Sequence, residues 1–172
     1  LFRSIDTASG KVGYMLFTDH NAPSEELLIN AFTQLRDEGV TDLVFDLRYN
    51  PGGLIGIAAE VGFMIAGRDN TIGKTFTQLE YNDKYVDFDP YSGDPNTPIP
   101  FVSSSIGYSA TPGIALPSLD LDRVFVLTTA GSCSASELIM NALVGIDIEV
   151  IQIGGTTCGK PYGFLQIGRA HV

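Results

Sequence analysis

Hydrophobic and polar positions along this 172-residue chain change their spacing from segment to segment, and the changes mark out alternating strands and helices. Residues 12–17, with Tyr14 and Phe17, form a short apolar run that predicts a strand. After the polar turn TDHNAPSEE, Ser24 with Glu25 and Glu26 marks a helix start, with acids where the helix dipole favours them. Leu27, Leu28, Ala31, Phe32 and Leu35 supply its buried face, and Gly39 ends it. Residues 43–47 predict the next strand, which feeds the turn 48–53. There Pro51, Gly52 and Gly53 force a tight bend, and the missing Cβ atoms let backbone N–H groups approach a ligand. A helix over residues 54–66 follows, closed by Gly67.

Beyond residue 67 the pattern weakens. Residues 76–81 and 84–88 predict a hairpin around Asn82 and Asp83. Residues 89–117 gather most of the prolines with many serines and glycines, and predict an irregular surface excursion. Such a segment either borders a substrate groove or is a solvated insertion without a role. Regular pattern returns at 123–128, a strand directly ahead of the small-residue block SCSASE. Glu137 then opens an apolar run at helical density, residues 138–143, and 149–153 predicts a buried strand. Gly154, Gly155 and Gly159 punctuate the loop that delivers Lys160.

Composition narrows the classes. A hydrophobic fraction of 44% with 17% charged residues belongs to a globular chain with one substantial core. A formal net charge of −10 argues against nucleic acid as a partner, because phosphate binding needs a cationic surface. No apolar run approaches the roughly 20 residues that span a bilayer. Neither an internal repeat, nor metal-ligand spacing, nor a phosphate-binding loop is present. Leu1 in place of an initiating methionine reads as the start of a fragment, with any export signal upstream. QIGRAHV at 166–172 resembles a translated sequencing adapter, which would divide the chain into a native core, 1–165, and a non-native tail. Arg169 and His171 would then carry no biological meaning.

The candidate chemistry sits where strand gives way to helix. Ser134 occupies that junction, and Lys160 follows the next strand. A parallel strand–helix–strand unit returns both to one sheet edge. Serine needs an adjacent base, and a helix start offers N–H groups and positive dipole character to a developing oxyanion. Lysine acts as a base only when neutral, a form favoured by burial among apolar walls such as Val150, Ile151 and Ile153. The ordinary alternative is an N-cap serine and a surface lysine. His20 is the histidine outside the tail, but in a polar turn the usual state is solvated or locally hydrogen-bonded.

SCSASE followed by TTCGK resembles the signatures of the S41 serine peptidases, the tail-specific or C-terminal processing proteases. DLRYNPGG at residues 46–53 resembles the same family's DLR-N-x-GG turn. The resemblance spans roughly residues 11–164. It implies Ser134 as nucleophile, Lys160 as general base, and an oxyanion hole made by the N–H of Ala135 with that of Gly52 or Gly53. It implies an α/β fold, the crotonase/ClpP-like spiral of ββα units, truncated at both ends, so that the fragment itself can be inactive even where its parent is a protease. The implied activity is endopeptidase cleavage of polypeptides through an acyl-enzyme, without cofactor or metal, in a periplasmic, cell-envelope or secreted setting. Polypeptide is the only partner implied, and the oligomeric state is left open.

Three features depart from the pattern. Pro161 stands where the family often has glycine and Phe164 where it often has glutamine, so a third catalytic residue is unassigned. Gln166 falls in the tail, and the PDZ module frequent in these proteases is not recognisable. The rivals are a non-catalytic ligand- or peptide-binding module on the same fold and an acyl-CoA enzyme of crotonase type. The latter leaves the serine–lysine pair unexplained. If Ser134 and Lys160 meet, the neighbouring Cys133 and Cys158 are drawn close enough to bridge; the alternative is two small thiols that merely pack.

Overall fold

A computed structural model of the chain describes residues 1–164; residues 165–172, with the tail and Gln166, lie outside the described residues. In chain order the elements are β1 (Phe2–Thr7), β2 (Gly10–Leu16), α1 (Ser24–Asp37), β3 (Asp42–Asp46), α2 (Ile55–Thr71), β4 (Thr75–Thr77), β5 (Ile99–Pro100), β6 (Arg123–Thr128), α3 (Ala135–Val144) and β7 (Glu149–Gly154). The main sheet runs β1-β2-β3-β6-β7. β1 and β2 form an antiparallel hairpin, and β2, β3, β6 and β7 run parallel. This is the expected α/β class. β1-β2-α1 is a ββα unit, whereas β3 and β6 each pass singly into a helix.

Helix α1 buries Leu28, Ala31, Phe32 and Leu35 against the sheet, but Leu27 is turned out and 69% exposed. The turn into α1 is held by Ser24 Oγ, which donates to Asp19 O and Asn21 Oδ1. Helix α2 is apolar nearly all round and correspondingly buried on all sides, from Ile57 to Gly67. Gly67 does interrupt it, with φ 76° and ψ 177°. Beside this kink the carbonyls of Met64 and Ile65 accept from Leu119 and Leu121 N–H at 2.9 and 3.0 Å. A Cβ on Gly67 would collide with Asp120, so glycine is required there on both counts.

One element is new and two expectations change. β1 carries too little apolar pattern to stand out, and its register on β2, Phe2 opposite Met15, is what makes it a strand. The hairpin around Asn82 and Asp83 does not form. β4 pairs with β5, more than twenty positions along the chain, and 82–85 is an isolated turn. Asn82 Oδ1 takes the Lys84 N–H, and Asp89 Oδ1 takes those of Tyr91 and Ser92. These local side-chain acceptors compete with a ladder on a segment that has no buried face. Third, β7 is half-buried rather than buried, because it lies at the edge of the described sheet; Ile153 is 48% exposed.

Candidate active site

The C-terminal ends of β3 and β6 lead into two turns that are stitched together. Ser132 Oγ donates to Leu47 O at 2.8 Å, Cys133 N–H to Asn50 O at 3.1 Å and Ser136 Oγ to Asn50 O at 3.0 Å. Asp46 beneath them is buried and paired with Arg48 through two hydrogen bonds, with Tyr14 Oη donating to it at 2.7 Å. Burial pushes the Asp46 carboxyl up, but these donors outweigh it and hold it below the usual range.

Ser134 stands at the junction of the turn with α3 at φ 54° and ψ −114°. Backbone of this kind costs about 1–3 kcal/mol for a residue with a side chain and persists only where the surroundings enforce it. Here the enforcement is visible. Glu137 Oε2 accepts the Ser134 N–H at 2.7 Å, and Gly52 is pressed against the turn. A Cβ on Gly52 would lie 2.7 Å from Cys133 O and 2.8 Å from Ala135 N, so only glycine fits.

The N–H groups of this turn have unequal fates. Gly52 N–H donates to Asn50 Oδ1 at 3.0 Å. Gly53 lies beside His20 in a parallel bridge closed by His20 N–H to Gly52 O and Leu54 N–H to His20 O. That bridge leaves the Gly53 N–H without an acceptor among the described residues, and the same holds for Ala135 at the start of α3. His20 is not solvated: it is 1% exposed, edge-on to Phe17, with Nδ1 2.9 Å from Asn50 Oδ1.

Lys160 arrives from the other side. Its N–H donates to Glu137 Oε2 at 2.9 Å, and that of Gly159 to Oε1 at 2.6 Å. Burial pushes the Glu137 carboxyl up, and hydrogen bonds from Thr157, Lys160, Gly159 and Ser134 overcome it to leave it below the ordinary range. A disulfide joins Cys133 to Cys158 with Cα atoms 5.2 Å apart, and Cys158 N–H donates to Ser132 O. Residues 132–134 and 158–160 therefore lie side by side. The lysine head does not complete the pair. Its Nζ sits over the Phe164 ring, 4.3 Å from the centroid, and 5.9 Å from that of Tyr162. No hydrogen bond links it to Ser134 Oγ among the described residues. Val150, Ile151 and Ile153 lie on β7 at the edge of the described sheet, Val150 and Ile151 half-buried and Ile153 exposed.

His20, the histidine a serine–histidine mechanism would use, is instead part of the wall behind the Gly52 turn, and Asn50 and Glu137 join the candidate residues. Asn50 and Glu137 had readable signals: an Asx residue two positions before Gly52, and the S-x-x-E spacing of a capping box. His20 had none. Cys133, Glu137 and Cys158 bring potential metal-ligand atoms within 4.8 Å of one another. Their two sulfurs are bonded together and both Glu137 oxygens accept N–H groups, so the cluster has no free donor.

Comparison with known proteins points the same way as the geometry. The family model described as peptidase family S41 matches residues 11–164. A C-terminal processing peptidase, chloroplastic, of Tetradesmus obliquus is 31% identical over 159 residues, covering 92% of this chain and 28% of the relative. A crystal structure of a Bacteroides fragilis NCTC 9343 protein assigned to the S41 proteases superposes with a TM-score of 0.77 at 28% identity, covering 93% of this chain and 39% of that one. The photosystem II D1 C-terminal processing protease shares the fold with a TM-score of 0.60 at 21% identity, over 93% of this chain and 37% of its own. The chain thus spans between 28% and 39% of the length of these relatives.

Proposed function

Because the chain belongs to peptidase family S41, we propose that it is the catalytic core of a serine endopeptidase working through Ser134 and Lys160 on polypeptides, in the C-terminal processing manner. In this reading Ser134 Oγ attacks the scissile carbonyl while neutral Lys160 Nζ takes its proton. The carbonyl oxygen becomes an oxyanion held by the N–H of Ala135 and of Gly53, beside the positive end of α3. Lys160 then gives its proton to the leaving amine, the C–N bond breaks, and an ester to Ser134 remains. Water, deprotonated by Lys160, hydrolyses the ester and restores the serine.

The observation that carries the reading is the backbone of Ser134: a strained, non-glycine residue, at a strand-to-helix turn, packed on Gly52. Gly53 is preferred to Gly52 as donor because the Gly52 N–H is already taken by Asn50. Lys160 must leave the face of Phe164 to reach Oγ; its backbone N–H shares Glu137 Oε2 with that of Ser134, which keeps the two turns together. No third catalytic residue is assigned. The Cys133–Cys158 bridge supports an oxidising setting, periplasmic, cell-envelope or secreted.

The resting place of the Lys160 ammonium favours one rival, a non-catalytic ligand- or peptide-binding module on the same fold. A serine-reactive fluorophosphonate separates the two. The peptidase reading expects covalent labelling of Ser134 and peptide hydrolysis, both lost in Ser134→Ala. Stoichiometric peptide binding with no labelling selects the rival, and wild-type turnover in Ser134→Ala ends the proposal.

A further inference from the structure

Part of the irregular stretch expected at the surface is pinned from below by two buried acids. Phe101, Leu116, Leu119 and Leu121 join the core, and between them the chain folds back on itself. The base of this fold is paired through backbone: Leu116 N–H donates to Ser103 O at 3.0 Å, and Ser105 N–H to Ile114 O and Gly113 N–H to Ser105 O, both at 2.8 Å. Ser105 Oγ also donates to Thr111 O at 2.6 Å and accepts from Ile114 N–H at 2.9 Å.

The tip is held differently. Glu25 on α1 accepts N–H groups from Gly107 (2.7 Å), Ser109 (2.6 Å) and Ala110 (2.9 Å). Glu60 on α2 accepts that of Ile106 at 2.8 Å. Four backbone donors of the tip therefore end on two carboxyl groups, and both acids are essentially inaccessible to solvent. Glu26 N–H donates to Ser109 Oγ at 3.1 Å. Ile106 Cδ1 and Tyr108 Oη lie over the first turn of α2, where a Cβ on Gly56 would meet each at 2.6 Å.

The two carboxyls face each other, and Glu60 Oε2 finds no donor among the described residues. Neither acid has an ion-pair partner among those residues. The further titratable group facing them is Tyr108 of the tip, which burial and then the charges of both acids keep neutral. Two carboxylates in a dry site without a cation repel, so one of them keeps a proton. A proton on Glu60 Oε2 turns the orphan atom into a donor to Glu25, and the pair then carries one charge. Burial, opposed by the Ile106 N–H, pushes the Glu60 carboxyl up to about 7, and Glu25 adds to the rise. Burial acts on Glu25 too, but its three N–H donors outweigh it and hold that carboxyl at about 2.

We propose that residues 106–112 form a latch, held closed on α1 and α2 by a single proton between Glu25 and Glu60, and released when that proton is lost. Once both carboxyls are ionised, their repulsion is relieved only if water reaches them, and the tip they hold is what stands in the way. Gly107 and Gly113, at φ 102° and 81°, stand near the two ends of the moving segment, while the paired base stays anchored to the core. In the open form Glu60 is solvated and returns to its ordinary range. Opening therefore becomes easier as pH rises from about 4.5 to about 7, and levels off above. The latch is independent of the Ser134 chemistry.

Residue-resolved amide hydrogen exchange by NMR tests this between pH 5 and 8, with rates corrected for intrinsic exchange. Protection of the Ile106, Gly107, Ser109 and Ala110 amides is expected to fall about 10- to 100-fold across that range. At every pH these amides should exchange faster than those of β3 and β6, as a local opening requires. In Glu60→Gln, whose amide oxygen accepts from Ile106 and whose NH2 donates to Glu25, protection should stay level within about twofold. The carboxyl carbon resonance of Glu60 in the wild type should titrate in the same window as the amide protection, a readout that stands even if the variant does not fold. Protection at the tip that does not change with pH overturns the latch. So does tip exchange no faster than that of the core strands, a fall in protection that persists in folded Glu60→Gln, or a Glu60 carboxyl that titrates in the ordinary range.

Discussion

The imidazole of His20 donates from Nδ1 to the side-chain oxygen of Asn50, 2.9 Å away, inside the wall behind Gly52. The direction follows from the network, since the same oxygen accepts the Gly52 N–H while Asn50 Nδ2 donates to Phe17 O. Burial lowers His20 to about 4, so the ring is neutral at pH 7 with its lone pair on Nε2. The consequence is selective: the Gly52 N–H is engaged, and that of Gly53 has no acceptor among the described residues. Replacing Asn50 by Ala removes all three contacts. The expected result is a fall in kcat of at least about tenfold with KM little changed, and a loss of roughly 2–3 kcal/mol of stability. Steady-state kinetics and denaturant melts check it, and unaltered kcat would show that the turn needs no such support.

Glu137 is the next place to intervene. One carboxylate accepts from Ser134, Gly159 and Lys160, and so joins the nucleophile's turn to the lysine loop. Glu137→Gln keeps the shape but turns an amide NH2 toward an N–H donor. We expect kcat to drop about 10- to 100-fold and stability to fall by about 1–3 kcal/mol. A variant with kcat within a factor of two of wild type would contradict the positioning role.

The acid pair makes stability depend on pH in a predictable direction. Glu60 is raised from 4.5 to about 7 on folding, so the folded state holds its proton longer than the unfolded one. Its contribution is favourable below pH 4.5 and is lost as pH climbs to about 7, by at most on the order of 3 kcal/mol. Glu25 has the opposite sign, stabilising above pH 4.5 and losing that stabilisation as pH falls toward about 2. His20, lowered from 6.5 to about 4, also loses stabilisation as pH falls through that window. Tyr108, which faces both acids, is raised and stays neutral throughout. The difference in unfolding free energy between wild type and Glu60→Gln isolates the first effect. It should shrink or reverse from pH 4.5 to 7, and a flat difference would refute the shared proton.

Opening the disulfide tests how far the lysine loop depends on it. A bridge between residues 25 apart stabilises by roughly 3.5 kcal/mol in the chain-entropy treatment. The Cys133→Ala/Cys158→Ala variant should lose stability of that order. Its turnover should also fall, because Lys160 is then held to the Ser134 turn by Glu137 and the Cys158 N–H alone. Equal melting temperatures before and after reduction of the wild type would show that the bridge contributes nothing.

Much of the scaffold is determined by local pattern. β2, β3, β6 and the three helices follow from their apolar spacing, which leaves one buried face on α1 and α3 and apolar positions all round on α2. The sharp turns at Gly52 and Ser134 are written in residues whose backbone has few alternatives: glycines at φ 96° and 142°, and small residues ahead of an S-x-x-E start. What periodicity cannot carry is the identity of the surface that arrives from elsewhere in the chain. β1 became a strand because β2 lay beside it, and β7 stayed half-buried because nothing described lies beyond it. By sequence Glu25 is a first-turn helix acid and His20 a turn histidine. Both are buried because residues 106–110 cover one, and Phe17 with Asn50 enclose the other. The head of Lys160, at the end of a long unbranched side chain, goes wherever a favourable partner stands, and here that is the face of Phe164. Backbone preferences are short-ranged and legible residue by residue, whereas burial and the pairing of polar groups are settled by contacts between distant segments, which only folding creates.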